Sequence, residues 1–308
     1  MPLRSHYGTG WLPEEPDTRD YSPFQKNVQP LLAKAGIIKH IERKKKLPAA
    51  VDLRKYCSPV VFQGGYNTCT PHVVTGLIEF LEKRIGGAEI IASRLFLYKT
   101  TKNLLNESGD KAVYIRESMG ALVLLGAPPE KYWPYLKTGT PSKPLNNDPR
   151  INLEPPAFCY ATARNYRGLK YYRLDPGGQQ SAAVADETLW QLKVHLAASL
   201  PVGFGFPLYA SLAQATRTGR IPFPAPNEKQ IGNHAVLAVG YDDNLVIQNT
   251  NPGGTSTKGA LLFKNSWSTL WGEAGYGWLP YDFVLSGSAR DFWTLTQADW
   301  IATDRFQL

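Results

Sequence analysis

The sequence predicts an α+β protein built from two unlike subdomains. Two observations carry that prediction. In the first half of the chain, apolar residues recur at three- and four-residue steps, which marks helices packed along one face. After about residue 155, short apolar runs alternate with Gly, Asn and Pro, which marks strands joined by turns. No internal repeat is present.

Composition is consistent with a packed core. The chain has 308 residues, 43% of them hydrophobic, 19% charged and 12% aromatic, the profile of a globular protein with one large domain or two modest ones. Its 27 Gly and 24 Pro call for many turns. The net charge of +8 would accept an anionic ligand at the surface, but no nucleic-acid motif accompanies it, so an ordinary basic surface is the simpler reading. The opening residues Met1–Gly8 lack the apolar core of a secretory signal, and no apolar run approaches the ~18 residues that span a bilayer. The expectation is a monomer without a membrane partner, cytoplasmic or exported by a non-classical route. The three cysteines, Cys57, Cys69 and Cys159, have no metal-ligand spacing. At least one thiol is free; Cys57 and Cys159 are either a disulfide pair or two buried apolar thiols.

The elements follow in order. Residues 1–46 read as an N-terminal extension, turn-rich over Gly10–Tyr21, with a short helix from Leu31 to Ile41. The run Arg43-Lys44-Lys45-Lys46 is either a solvated linker or a protease-sensitive junction. The main body is expected over 47–308: a mainly helical part over 57–155, a mainly β part over 156–285 and a tail over 286–308. Val73, Val74, Leu77, Ile78, Leu81 and Ile85 mark an amphipathic helix after Cys69, capped by Thr68 or Asn67, with Pro71 tolerated in its first turn and Gly86-Gly87 ending it. Helices are predicted over 94–105, 114–125 and 186–200, and strands over 201–206, 235–241, 245–249 and 260–265.

Within this frame, Cys69, His234 and Asn265 have settings suited to thiol chemistry. Cys69 falls in the first turn of its helix, where unpaired N–H groups and the dipole favour an anion. With a protonated imidazole nearby, a thiol pKa of ~8.5 can fall to ~3–4. His72, three residues on, and His234, at the start of an apolar strand, are rival bases. An antiparallel hairpin of 235–241 with 260–265 would put His234 beside Asn265, whose amide could fix the imidazole tautomer. Trp267 would cover that pair. The Gln63 amide and the Cys69 backbone N–H could face a developing oxyanion.

These residues lie in a series of motifs: Val51-Asp52-Leu53-Arg54, Gln63-Gly64 with Cys69, His234-Ala235-Val236 with Val239-Gly240-Tyr241, and Lys264-Asn265-Ser266-Trp267 with Trp271-Gly272. In this ordered set the chain resembles the papain-like cysteine peptidases, bacterial type, over about residues 47–285. The resemblance implies a helical subdomain and a β-barrel-like subdomain with the active-site cleft between them. It implies hydrolysis of peptide or protein substrates through a thioester, with Cys69 as nucleophile, His234 as proton shuttle, Asn265 orienting it and Gln63 in the oxyanion hole. No cofactor or metal is implied.

Some positions depart from the family pattern. Tyr66 stands where many members carry a framework cysteine, and Asn67 replaces a small residue beside the cleft. With Gly65 these are the candidate substrate-side residues. The separation of Cys69 from His234, 165 residues, exceeds the ~130–150 of the family arrangement. The extension 1–46 is too short for a long helical prodomain, and its extended, Pro-rich character suggests an arm that restrains the site. A transamidase or peptide ligase using the same triad, and a silent binding protein that keeps the cleft, are the alternatives.

Overall fold

The computed structural model describes residues 7–34, 46–85, 89–175 and 181–300. Helices α1 (Gln29–Lys34), α2 (Cys69–Ile85), α3 (Arg94–Leu104) and α4 (Ile115–Leu124) lie in the first half. Helices α5 (Ala157–Ala163), α6 (Ala182–Ala197) and α7 (Asp282–Leu285) lie in the second. The strands are β1 (Ala50–Asp52), β2 (Gly139–Thr140), β3 (Lys143–Pro144), β4 (Tyr166–Arg173), β5 (Val202–Tyr209), β6 (Gln230–Gln248), β7 (Ser256–Lys264), β8 (Tyr276–Pro280) and β9 (Arg290–Trp300).

The main sheet runs β4-β9-β5-β6-β7-β8, with β1 paired to β6. Its β pairs are antiparallel. The sheet is open: β4 and β8 are its two ends, so the expected barrel-like closure is corrected to a twisted sheet against which α2 packs. That contact is direct, because Val73, Val74 and Leu77 of α2 share one buried cluster with Val202, Phe204, Ala235 and Leu237 of the sheet.

Most sequence-predicted elements are present, with shifted limits. The helix expected over 186–200 begins four residues earlier, where Ser181 caps it by accepting from Val184 N. The runs 235–241 and 245–249 form one long strand, β6. The expected tail over 286–308 is in part β9, a strand inside the sheet, held between β4 and β5. Of the predicted helix over Leu31–Ile41, Gln29–Lys34 forms one; the remainder, the basic run as far as Lys45, and Gly86-Gly87 lie outside the described residues. Residues 7–34 are not separate from the body, since Trp11, Val28 and Leu32 join the main buried cluster. Cys57, Cys69 and Cys159 are all free thiols. Among the described residues, no helix is long and apolar enough to cross a membrane.

Tyr66 has a structural part in this arrangement. Its ring is fully buried with Leu95, Tyr98 and Val113. Its hydroxyl donates to Lys137 O and accepts from Asp148 N, both at 3.0 Å. The side chain therefore braces the loop carrying β2 and β3 and does not face the cleft as a substrate-side residue would. Tyr66→Phe leaves two polar backbone groups without that partner, which predicts a loss of about 1–3 kcal/mol. Urea unfolding of the variant checks this, and an unchanged midpoint contradicts it.

Candidate active site

Helix α2 delivers Cys69, and the sheet delivers the remaining groups. Cys69 is the first residue of α2. Neither expected capping side chain caps it: Thr68 Oγ1 pairs with Tyr135 OH at 2.5 Å, and the Asn67 amide donates to Asp110. Strand β6 carries His234 and β7 ends at Lys264, which pairs with Leu237. Continued by one residue, that antiparallel register sets Asn265 opposite Val236, two residues from His234 on the same strand. His234 Nε2 donates to Asn265 Oδ1 at 2.8 Å, and the same oxygen accepts from Ser266 N at 2.8 Å. That bond places the ring proton on Nε2 and leaves Nδ1 as a lone pair. Nδ1 is buried without a hydrogen-bond partner.

Trp267 lies parallel to the imidazole, with ring centroids 4.3 Å apart. Trp271 meets Trp267 edge-on from behind. Gln63 is held from both ends of its amide: Nε2 donates to Tyr66 O at 2.8 Å, and Oε1 accepts from Ser266 Oγ at 2.5 Å. The second N–H of Gln63 remains for another acceptor. Gly65 donates to Leu145 O at 3.1 Å, so it belongs to the loop behind Gln63. Asn67 N donates to Asp110 at 2.9 Å.

His72 is differently engaged. Its Nδ1 donates to Thr68 O at 2.7 Å and its ring meets Tyr135 edge-on. The orienting amide thus goes to His234, the more distant of the two rival histidines.

An N-terminal arm crosses this group, and the sequence reading did not identify its residues. Tyr7 stacks on Trp267, with centroids 4.9 Å apart. Gly8 N donates to Gly64 O at 2.9 Å, and Gly8 O accepts from Trp267 Nε1 at 3.2 Å. Gly10 N reaches Asn233 O, and Gly10 O accepts from Val113 N at 3.0 Å. The approach is very close. A Cβ on Gly8 would sit 2.0 Å from Tyr66 O, and one on Gly10 would sit 2.4 Å from Asn67 O, where φ is +141°. Two glycines ahead of a tryptophan, Gly8-Thr9-Gly10-Trp11, are the one sequence signal that could have marked this crossing.

Burial sets the electrostatics of the group. Cys69, Gln63 and His234 have no exposed surface. Burial pushes the Cys69 thiol up to about 12, against smaller opposing effects from Ala235 and Thr70. Burial also pushes the His234 imidazole down to about 4, against the smaller raising effect of Asn265. Burial thus disfavours charge on both groups, and a helix end supplies only ~0.3–2 kcal/mol against that.

Comparison with known proteins agrees with this geometry. Residues 159–284 match the family model described as papain family cysteine protease. The crystal structure of xylellain, a cysteine protease from Xylella fastidiosa, superposes with a TM-score of 0.71 at 30% identity, covering 95% of this chain and 97% of that one. An uncharacterized peptidase C1-like protein of Acanthamoeba polyphaga mimivirus is 27% identical over 300 residues, 94% of this chain and 86% of its own length. Procathepsin B S9 from Trypanosoma congolense shares the fold, with a TM-score of 0.61 at 17% identity. The chain belongs to the papain family of cysteine proteases.

The buried histidines set a pH dependence. Burial also holds His195 at about 4. Between the ordinary ~6.5 and about 4, the unfolded chain binds protons that the folded chain at His234 and His195 does not. Their contribution to stability therefore falls as pH falls through that window, by on the order of a few kcal/mol, while Glu14 and Asp291, which burial raises to about 7, act in the opposite sense. Urea unfolding of the parent and of His195→Gln at pH 7 and pH 4.5 isolates the part due to His195: the variant should lose less stability on acidification than the parent. An equal or larger loss in the variant contradicts it.

Proposed function

We propose that Cys69, His234, Asn265 and Gln63 form the catalytic set of this cysteine protease and that the N-terminal arm holds it latent. The observation that carries the reading is the His234–Asn265 hydrogen bond, which leaves Nδ1 as the free proton acceptor, with the Cys69 thiol hydrogen-bonded to the backbone of Ala235, the residue after His234. In this mechanism the Cys69 thiol loses its proton to His234 Nδ1, and sulfur attacks the scissile carbonyl. The tetrahedral oxyanion is met by the Cys69 backbone N–H and the second N–H of Gln63. His234 then returns the proton to the departing amine, leaving a thioester that water hydrolyses with His234 as base. Asn265 keeps the ring angle and tautomer throughout, and Trp267 keeps water away from the Nε2–Oδ1 bond.

The domain division that fits this reading is an arm ahead of a catalytic body starting near Leu47. The arm restrains by two effects. It fills the space over Gln63 and His234, and it excludes the water that the charged pair needs. Protein or peptide chains are the substrates.

Turnover of a fluorogenic peptide tests the proposal. Cys69→Ala and His234→Ala should abolish it. Gln63→Ala should lower kcat by about 100- to 1,000-fold. In the full-length chain, Gly8→Val cannot keep the close approach to Tyr66 O and should raise turnover above the unsubstituted protein. Equal turnover, with both proteins folded by circular dichroism, removes the restraint from the account. Full activity in His234→Ala removes the triad.

A further inference from the structure

We propose that Tyr135 and His72 are positioning residues of the oxyanion hole: together they fix the spacing and direction of its two N–H donors, the Gln63 side chain and the Cys69 backbone. The inference rests on the reading that Cys69 and Gln63 are catalytic. His72 is the histidine that the assignment of the base leaves unused. Tyr135 lies in the loop ahead of β2, outside every motif that marked the site.

A single phenol links the two donors. Tyr135 OH donates to Gln63 O at 3.2 Å. A carbonyl only accepts, so the phenol proton is committed there, and the 2.5 Å bond to Thr68 Oγ1 has Thr68 as its donor. The hydrogen bonds thus run from Thr68 to Tyr135 to Gln63 O, each polarising the next. Thr68 is the residue ahead of the nucleophile, and Gln63 carries the other donor. One oxygen therefore joins the two sides of the hole across the loop 63–68. Gln63 and Thr68 have no exposed surface, so water does not reach them in place of the phenol. Burial holds the Tyr135 phenol well above its ordinary value, which keeps the bridging proton on it. The ring is itself fixed. The Arg94 guanidinium lies over it, 5.2 Å from the centroid, and Arg150 Nη2 donates to Tyr135 O at 3.0 Å.

His72 acts on the Cys69 N–H through one peptide plane. The Thr68–Cys69 peptide is trans, so the Thr68 carbonyl and the Cys69 N–H point in opposite directions within one rigid unit. Fixing the carbonyl therefore aims the N–H. Thr68 O is held twice by the same residue, by His72 N at 3.2 Å and by His72 Nδ1 at 2.7 Å. Any helical residue supplies the first bond; the second needs a side-chain donor. Burial, more than the nearby Arg94 charge, disfavours a second proton on this imidazole, so the proton on Nδ1 stays directed at Thr68 O. The Tyr135 ring meets the imidazole edge-on, with centroids 5.0 Å apart, which joins the two holders. Gln63 is pinned in the same manner on its own side. Its N–H donates to Ser266 O at 2.9 Å, its carbonyl takes the Tyr135 proton, and its amide is held by Tyr66 O and Ser266 Oγ. An oxyanion needs both donors at hydrogen-bond distance at once, and a misplacement of ~1 Å can cost ~100-fold in rate. The Tyr135 bridge and the His72 grip set that placement.

The test compares the full-length chain carrying Gly8→Val with the same chain carrying Tyr135→Phe as well, which keeps the ring and removes the bridging hydroxyl. Turnover of a fluorogenic peptide gives kcat and KM. The affinity of a peptide aldehyde reads the hole directly, because addition of the Cys69 thiol across its carbonyl places an oxygen there. Iodoacetamide alkylation of Cys69 forms no oxyanion and serves as the reference. Tyr135→Phe should lower kcat by about 10- to 100-fold with KM within about twofold, weaken the aldehyde by a similar factor and leave alkylation at the parent rate. In a Gln63→Ala background the same substitution should cost several-fold less, since one of the two donors is already gone. His72→Leu should act like Tyr135→Phe, and His72→Asn, whose amide N–H stands near the Nδ1 position, should restore most of the activity. Should Tyr135→Phe not fold, Thr68→Val removes the bridge from its other end and Thr68→Ser keeps it. Unchanged kcat and aldehyde affinity, or alkylation that falls in step with kcat, overturns the inference and leaves the protease reading intact. Absence of any turnover that depends on Cys69 overturns both.

Discussion

The hydrogen bond from His234 Nε2 to Asn265 Oδ1, 2.8 Å long, is the constraint on which the site depends. It crosses the β6–β7 ladder, so its geometry is inherited from many backbone bonds and not from one loop. It fixes the imidazole tautomer, and so fixes which nitrogen can take a proton. Ser266 shares in it from both sides: its N–H occupies the second lone pair of Asn265 Oδ1, while its hydroxyl holds Gln63. The tripeptide Asn265-Ser266-Trp267 after β7 thus holds the His234 ring by a hydrogen bond and a stacked indole and ties it to Gln63.

Burial acts in opposite senses on this arrangement. It protects the His234–Asn265 bond from water, with Trp267 stacked above it. It also raises the thiol and lowers the imidazole, so that charge separation between them is disfavoured. A protease needs the first effect and must escape the second. In the proposed mechanism the escape comes when the arm leaves; it is seated by backbone approach at Gly8 and Gly10 and by burial of Trp11 against Gly205. The arm needs no large domain of its own, because it uses surfaces that the cleft already presents.

Much of this site was legible in the sequence, because its residues sit in local patterns with local causes. Cys69 opens a helix, His234 opens an apolar strand, and Asn265 closes another. A hairpin between two such strands has only one way to bring their ends together. The β part was less legible. Tyr166–Arg173 and Arg290–Trp300 carry charged or polar residues at many positions, yet they pair with each other at one end of the sheet, and nothing local announces a partner 120 or more residues away. Tyr66 was misread as a cleft residue because its neighbours Gln63 and Cys69 are there. Its side chain points the other way, into the helical part, which chain proximity cannot reveal.

The central claim is that Cys69 and His234 are neutral beneath the arm and become an ion pair when the arm leaves. The direct measurement is the pH dependence of iodoacetamide labelling at Cys69, in the full-length chain and in its Gly8→Val variant, each with and without His234→Ala. The account predicts slow labelling of the parent from pH 5 to 8, fast labelling of the Gly8→Val variant already near pH 5, and loss of that acidic labelling when His234 is removed. Fast acidic labelling of the parent, or a Gly8→Val profile that follows an ordinary thiol titration, would contradict it.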